Sequence, residues 1–249
     1  MFDSLFHKNS FLPRLTPILC LLCIASFIGL NLAGPHATWE QVRIYGYLPT
    51  ISVWTGAPWS LISSTFAHME IWHVLFNVMW LWTLGNAFED EFGSLKWAAF
   101  FLGAAWVSSA LQLLGSGDTG IGMSGVGYAL FGFGWVARRK YPVFRHILTQ
   151  QNIIIFLVWG VGCIIATQLG LASIGNWAHA AGLAFGAAVA GALVEKWKPI
   201  LSGAGLALLA IASVVPLFWC PQSQEWRALQ QERSSHKETK VAQRAQRDS

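Results

Sequence analysis

Long apolar runs occupy most of this sequence, and they constrain its fold more than any other feature. Only 11% of the residues are charged, whereas soluble domains carry about 25%. Each run approaches the roughly 20 residues that a helix needs to cross a bilayer. We count seven candidate spans: 15–34, 72–88, 96–114, 124–140, 152–172, 177–194 and 201–219. The pattern therefore predicts an all-α polytopic membrane protein surrounded by a lipid bilayer, with six transmembrane helices and a seventh, C-terminal one.

The segments outside these runs differ in character. A charged start at Lys8 and Arg14 precedes the first run, but no small-residue cleavage site is clear and further spans follow, so we interpret this run as a retained helix and not a signal peptide. Residues 35–71 are rich in aromatic and turn residues, which suits a loop in the membrane interface. Pro216 interrupts the short seventh segment, 200–220. Residues 221–249 are polar with mixed charges, which is typical of a disordered tail or a solvated helix.

Basic residues in the short loops predict the orientation. They precede the first span and follow the fourth and the sixth, at Lys8, Arg14, Arg138, Arg139, Lys140, Arg145, Lys196 and Lys198. These places share one side of the membrane if the N-terminus is cytoplasmic. A true seventh span would put the six basic residues of the tail outside, which conflicts mildly with the rule. The net charge of +4 comes partly from that tail and gives no reason to expect a nucleic-acid partner.

Polar residues inside the apolar runs gather at one depth. His73 and Asn77 lie in the second span, Ser124 opens the fourth, and His179 is near the start of the sixth. At 1.5 Å per residue they lie about 18–24 Å from the charged inner ends of their helices. The hydrocarbon core is about 30 Å thick, so this layer lies about 6–12 Å below the outer face. Polar groups at this depth need water, which predicts a cavity open to the outside.

The residue types in this layer suit acyl transfer. A serine hydroxyl needs a base to become a nucleophile, and His179 can be that base for Ser124. The tetrahedral intermediate needs hydrogen-bond donors. His73 and Asn77 share one helix face, and the backbone N–H of Ser124 at a helix N-terminus is a further donor. Because these spans carry no Asp or Glu at this depth, we expect a Ser–His dyad without a third carboxylate.

Small residues indicate close helix packing around the dyad. A stripe with four-residue spacing in the sixth span lets it approach the fourth, at Ala178, Gly182, Gly186 and Ala190. Gly122 and Gly125 flank the serine and permit close approach of the backbone. Tyr128 lies one turn below Ser124 on the same face, from which its ring can stack on His179.

Other interpretations of these residues stay open. Alone, Ser124 is more often a helix N-cap, and Asn77 an interhelical hydrogen bond. His73 and His179 could be axial ligands of a membrane haem, but this leaves Ser124 and Asn77 idle. With His68 they could bind a metal, but the sequence lacks H-E-x-x-H and a nearby carboxylate. A transporter also places polar groups at depth, but it predicts repeated halves, which the sequence lacks. The C-x-x-C pair at Cys20 and Cys23 lies in an apolar run and is interpreted as small core or lipid-facing residues.

Motifs in three spans make the chain resemble the rhomboid family of intramembrane serine proteases, bacterial type. The second span carries His68, His73 and Asn77 at its entrance, then Leu84-Gly85 and Glu89. The fourth matches the G-x-S-G segment with Gly122-Met123-Ser124-Gly125 and Tyr128. The sixth matches A-H-x-x-G-x-x-x-G with Asn176, His179, Gly182 and Gly186. The resemblance covers about 59–194.

The resemblance implies a rhomboid-like six-helix core over 15–199 that cleaves single-span transmembrane protein substrates without a cofactor or metal. It implies Ser124 as nucleophile and His179 as base. His73, Asn77 and the Ser124 amide would be oxyanion donors, with supporting roles for His68, Gly122, Gly125, Asn176 and Tyr128. It also implies residence in a bacterial inner membrane, with the site opening to the outside. Two departures are Trp59-Ser60, where many members have Trp-Arg, and Ile121, where glycine is common.

Overall fold

The protein is helical throughout, as the apolar pattern predicts. The computed structural model describes residues 14–34, 36, 38–194 and 199–247, and these form helices without a strand. The main helices are α1 (Leu15–Ala33), α2 (Ile71–Trp80), α3 (Asn86–Phe92), α4 (Ser94–Ser116), α5 (Ser124–Ala137), α6 (Gln150–Gln168), α7 (Asn176–Leu193), α8 (Pro199–Phe218) and α9 (Gln224–Arg247). Short helical turns lie at Trp39–Val42, Arg43–Tyr45, Thr50–Val53, Ser60–Ser63, Ser64–Phe66 and Pro142–Ile147.

Each of the seven predicted spans coincides with a helix. The second consists of α2, a π-helical turn at Leu81–Gly85 and α3, and it extends to Phe92. By length and hydropathy α1, α4 and α6 are long enough to cross a membrane, while α5 and most of α8 are shorter apolar helices. The helical architecture confirms the polytopic fold class. Three of the basic residues used to predict the orientation lie outside the described residues, namely Lys8, Lys196 and Lys198. So does Glu195, the charged inner end from which the depth of His179 was calculated.

Helix α5 lies at the centre of the bundle and is buried along nearly its whole length. Helix α7 packs directly on it. A Cβ added at Gly182 or Gly186 would overlap the backbone carbonyl oxygen of Gly125 or Ala129, respectively. Backbone-to-backbone packing of this kind requires glycine. The stripe of small residues thus places the first turn of α7 beside the first turn of α5.

A buried carboxylate ties the opposite end of the bundle together. Glu89 accepts hydrogen bonds from the Thr16 amide at 2.9 Å, the Thr16 hydroxyl at 2.7 Å and the Ser94 hydroxyl at 2.6 Å. The carboxylate therefore caps the N-terminus of α1, where a negative charge is favoured by the helix dipole. It holds α1, α3 and α4 in a fixed relation.

Helix α8 runs along the bundle and ends beside the C-terminal turns of α4. Near its start, Ser202 contacts Gly191 at the end of α7. Beyond its end, the Cys220 thiol donates to the Leu113 carbonyl at 3.5 Å. Because α4 ends close to the start of α5, α9 begins at the same end of the bundle as Ser124. Of the two alternatives expected for the tail, the structure has the helix.

The loop between α1 and α2 packs over this same end. The Trp54 indole donates to the Pro216 carbonyl at 2.9 Å, and the Gly122 amide donates to the Ser64 carbonyl at 3.0 Å. Val53 and Leu61 of the loop form a buried apolar cluster with Leu113 and Cys220. The loop, α8 and the segment leading to Ser124 are thus mutually supported.

Candidate active site

The hydroxyl of Ser124 and the imidazole of His179 form a hydrogen bond. Ser124 is the first residue of α5, and His179 is in the first turn of α7. His179 Nε2 lies 2.8 Å from Ser124 Oγ, which is within the range for a nucleophile and its base. The side chain of His179 is buried, with 7% of its surface exposed. The close approach of α5 and α7 therefore brings the two predicted residues within hydrogen-bonding distance.

Tyr128 packs face to face against His179. The ring centroids are 4.5 Å apart and the planes differ by 22°. The Tyr128 hydroxyl donates to the Phe156 carbonyl of α6 at 3.2 Å, so the phenol ring is held from the side opposite α7. A stacked ring restricts the imidazole to one plane and offers its π face to a positive charge. In the described part of the chain, no carboxylate is hydrogen-bonded to His179.

His68 is fully buried and holds the loop before Ser124 in place. Its Nδ1 donates to the Phe66 carbonyl at 2.9 Å. Its Nε2 accepts from the Met123 amide at 3.2 Å and faces Asn77 Nδ2 at 3.1 Å. These contacts require the proton on Nδ1, because Nε2 must be the acceptor. The structure thus gives His68 a positioning role toward both the serine loop and Asn77.

His73 and Asn77 lie on one face of α2, next to the loop that leads to Ser124. Asn77 is 5% exposed, and one of its amide hydrogens points to His68, leaving the other for a ligand. His73 contacts Gly122, where an added Cβ would lie 2.5 Å from His73 Cε1. Gly122 also has φ +99°, a conformation that favours glycine. The His73 ring lies edge-on to His68, 4.9 Å between centroids.

The four residues predicted to react with or bind the substrate line one cavity of about 920 Å³. Its wall includes Ser124, His179, His73 and Asn77, together with aromatic side chains such as Phe76 and Trp159. A volume of this size lies within the range of ligand-binding pockets, about 300–1,000 Å³. The four polar residues predicted to lie in one layer therefore face one shared cavity.

Asn176 and Gln112 position the start of α7. The Asn176 amide donates to the Thr167 hydroxyl of α6 at 2.8 Å. Gln112 of α4 accepts from the Ala178 amide at 3.1 Å and is 7% exposed. We did not predict Gln112 from the sequence. The available signal was a glutamine within an apolar span, where polar side chains usually have a partner.

Gly125 makes a close contact that explains its position. A Cβ there would meet the Ser108 hydroxyl of α4 at 2.6 Å. Gly125 therefore lets α4 approach the first turn of α5, as well as α7 on the other side.

The remaining titratable side chains do not form a metal centre in the described residues. No group of three His, Cys, Asp or Glu side chains is arranged to hold a metal ion in that part of the chain. Cys20, Cys23, Cys163 and Cys220 are all free and buried. The C-x-x-C pair thus lies in the packed part of α1.

Comparison with known proteins defines the class. Residues 55–196 match the Rhomboid domain, and this segment contains the Ser124–His179 pair and the helices that position it. The chain belongs to the rhomboid family and is an integral membrane protein. Similar proteins include the Rhomboid protease GlpG from two strains of Klebsiella pneumoniae, each 38% identical over 173 residues. The aligned segment is 68% of this chain but only 59% of those relatives, less than two thirds of their length.

Proposed function

We propose that this protein is an intramembrane serine endopeptidase that cleaves single-span membrane proteins with a Ser124–His179 dyad. The observation that carries the proposal is the 2.8 Å hydrogen bond between His179 Nε2 and Ser124 Oγ inside a cavity. The GlpG relatives are named as rhomboid proteases, which supports the same chemistry here.

In the first step, Ser124 Oγ attacks the carbonyl carbon of the scissile peptide bond while its proton passes to His179 Nε2. The base must then have its own proton on Nδ1, since Nε2 accepts. Proton transfer leaves His179 as an imidazolium. The Tyr128 ring, stacked at 4.5 Å, stabilises this cation through its π face.

The carbonyl oxygen becomes an oxyanion that needs donors around it. Asn77 has one amide hydrogen directed at His68 and a second available for the oxyanion. The Ser124 amide at the start of α5 and the His73 ring are the other two donors. Preorganised donors of this kind commonly contribute about 10²–10³ in kcat. His68 fixes two parts of this arrangement, the Met123 amide and Asn77, without touching the substrate.

Collapse of the intermediate breaks the C–N bond, and the His179 imidazolium donates its proton to the leaving amine. The acyl group stays on Ser124 Oγ. A water molecule, deprotonated by His179, then attacks the carbonyl carbon of this ester. The ester C–O bond breaks, the His179 imidazolium returns its proton to Ser124 Oγ, and the carboxylic acid product leaves. Water is consumed in this second step, so the cavity must admit it while remaining within the bilayer.

We propose the location and topology together. The basic loops favour a cytoplasmic N-terminus, which places the Ser124 end of the bundle toward the outside of a bacterial inner membrane. We assign 15–199 as the catalytic core, 35–71 as an interfacial loop, 200–220 as an additional span and 221–249 as an exposed tail. A substrate's transmembrane segment would then be cut near its outer end.

Cleavage of a model single-span substrate by the purified protein tests the proposal. We expect cleavage by the wild type and none by Ser124→Ala, with both proteins equally resistant to thermal unfolding. A fluorophosphonate probe should label only the wild type. Retained cleavage or labelling in Ser124→Ala would exclude Ser124 as the nucleophile.

The oxyanion assignment has its own test. Asn77→Ala removes one donor among three, so we expect kcat to fall by about 10²-fold. KM should change little if the contact forms mainly in the transition state. Unchanged kcat would assign Asn77 a structural role.

A further inference from the structure

The C-terminal helix α9 carries a basic stripe on one face. Arg233, Lys237 and Lys240 are spaced by four and three residues. At about 100° per residue they fall within an arc of about 60°. The acidic residues Glu225, Glu232 and Glu238 lie outside this arc, as does Arg227, so the arc itself carries positive charge alone. The name "basic stripe" below refers to Arg233, Lys237 and Lys240.

The same face of α9 is turned toward the protein at its start. Trp226, Leu229 and Gln230 are partly buried, whereas the intervening Arg227 and Ala228 are exposed. Trp226 packs on the apolar cluster formed by the loop before α2 and the outer end of α4. Trp226 and the basic stripe are in register around the helix axis. The stripe therefore points to the same side as the membrane-embedded bundle, while residues 231–240 are all exposed.

The charges of the stripe have no compensating partner on α9. Arg233 and Lys237 are four residues apart, and Lys237 and Lys240 are three apart, so like charges are neighbours on the helix surface. Such pairs destabilise a helix. Among the described residues, none of the three forms an ion pair. A surface of opposite charge would relieve this repulsion.

The start of α9 lies where a membrane surface would be. At the end of α8, Phe218 is 77% exposed and Trp219 is 55% exposed. Exposed aromatic side chains at the end of a membrane helix mark the headgroup layer. A helix that leaves this layer with its basic face toward the bilayer fits anionic headgroups. Because α9 is strongly polar overall, its attraction would be mainly electrostatic.

We propose that α9 docks on the headgroups of anionic phospholipids through the basic stripe, on the side of the bundle where Ser124 lies. The helix would be anchored at one end by Trp226 and along its length by lipid phosphates. This inference rests on charge and geometry outside the segment matched by the family, and it does not depend on proteolysis.

A headgroup-quenching measurement on the full-length protein tests the docking. Ser234→Cys, labelled with a fluorophore, places a reporter beside the stripe, and the four native cysteines are buried. The protein is placed in nanodiscs of phosphatidylcholine alone, or of an equal mixture with phosphatidylglycerol, each with a headgroup-attached nitroxide quencher. We expect much stronger quenching in the anionic bilayer, reduced by high salt. The same lipid faces both sides of a nanodisc, so insertion direction does not affect the result.

Two variants distinguish the effect of where the charges lie on α9 from the effect of its net charge. Replacing Arg233, Lys237 and Lys240 by glutamine should weaken docking about a hundredfold, because each basic residue near an anionic surface contributes about fivefold. Quenching should then fall to the level in phosphatidylcholine. The control adds Gln231→Lys, Ser235→Lys and Thr239→Lys to this variant, which restores the net charge on the opposite face, and quenching should stay low.

Three results would overturn the proposal. Equal quenching in both bilayers would exclude recognition of anionic lipid. Restored quenching in the charge-moved variant would show that net charge, and not the stripe, is responsible. Stripe-dependent binding of a soluble oligoglutamate, without lipid-dependent quenching, would assign the stripe to an acidic protein segment.

Discussion

Replacing Gly182 by alanine tests whether the catalytic pair depends on backbone contact between α5 and α7. The added Cβ would overlap the carbonyl oxygen of Gly125 and lie 3.0 Å from its carbonyl carbon. It would also lie 3.3 Å from the amide nitrogen of Ala129. All three atoms belong to the α5 backbone, so no side chain can turn away. Carbon atoms prefer separations of about 3.5–4.0 Å, so the helices must move apart by about 1 Å.

This movement would disrupt the active site directly. The His179 Nε2 to Ser124 Oγ distance of 2.8 Å would lengthen beyond the range of about 2.6–3.2 Å that proton transfer needs. A displacement of about 1 Å costs about 10²-fold in rate, and overpacking costs about 1–3 kcal/mol of stability. We expect Gly182→Ala to lose about 10²-fold in kcat/KM on a model substrate and to unfold at a lower temperature.

Gly127→Ala is the matched control. Gly127 lies on α5, but a Cβ there would have no atom within 4 Å. Alanine also favours the helix over glycine by about 1 kcal/mol, so activity should be unchanged and stability slightly higher. Wild-type cleavage by Gly182→Ala would refute the reasoning, because the catalytic pair would then tolerate separation of the two helices.

Three further predictions concern single side chains. Tyr128→Phe keeps the ring that stacks on His179 and should retain most activity. Tyr128→Leu should lower kcat about 3–30-fold, because it loses the cation–π contact with the His179 imidazolium. Equal kcat in the two variants would contradict this role. His68→Phe removes the acceptor of two buried N–H groups and should destabilise the protein by about 2–5 kcal/mol in chemical unfolding, while the exposed His146→Phe should be neutral. Burial and the nearby Asp118 raise the pKa of Glu225. The folded state therefore binds the proton of the Glu225 carboxyl more tightly than the unfolded chain does. Stability should fall as the pH rises from about 4.5 through the folded-state pKa. Glu225→Gln should therefore raise the free energy of unfolding at neutral pH but not at acidic pH. The gain should be less than about 1 kcal/mol, because solvent screens the group. A gain that persists in acid would point to another cause.

The positions of the helices follow from composition and periodicity. Apolar runs of membrane length specify helices because unpaired backbone groups are too costly in lipid. The limits differ by up to four residues. The second span ends at Phe92 and not at 88, because a π-helical turn and α3 continue the helix, and the fifth ends at Gln168 and not at 172. An apolar run does not reveal such a turn, since hydropathy reports how apolar a segment is and not its hydrogen-bond pattern.

The support of the site was harder to predict. Gln112 and Ser108 are on α4, which carries no predicted catalytic group, yet both contact the first turns of α5 or α7. His68 was associated with the site, but its acceptor role toward Met123 and Asn77 depends on the loop conformation. Contacts between residues distant in sequence cannot be deduced from spacing within a helix.

The sequence by itself determined the membrane class and the helices, and it predicted one common layer for Ser124, His179, His73 and Asn77, because helix rise and hydropathy depend only on local order. Only the tertiary structure decided that Ser124 and His179 are 2.8 Å apart. It also decided that α9 starts at the same end of the bundle. The physical reason is that these outcomes depend on how α4, α5, α7 and α8 pack together, and such packing is set by glycine contacts and hydrogen bonds between helices that no single segment encodes.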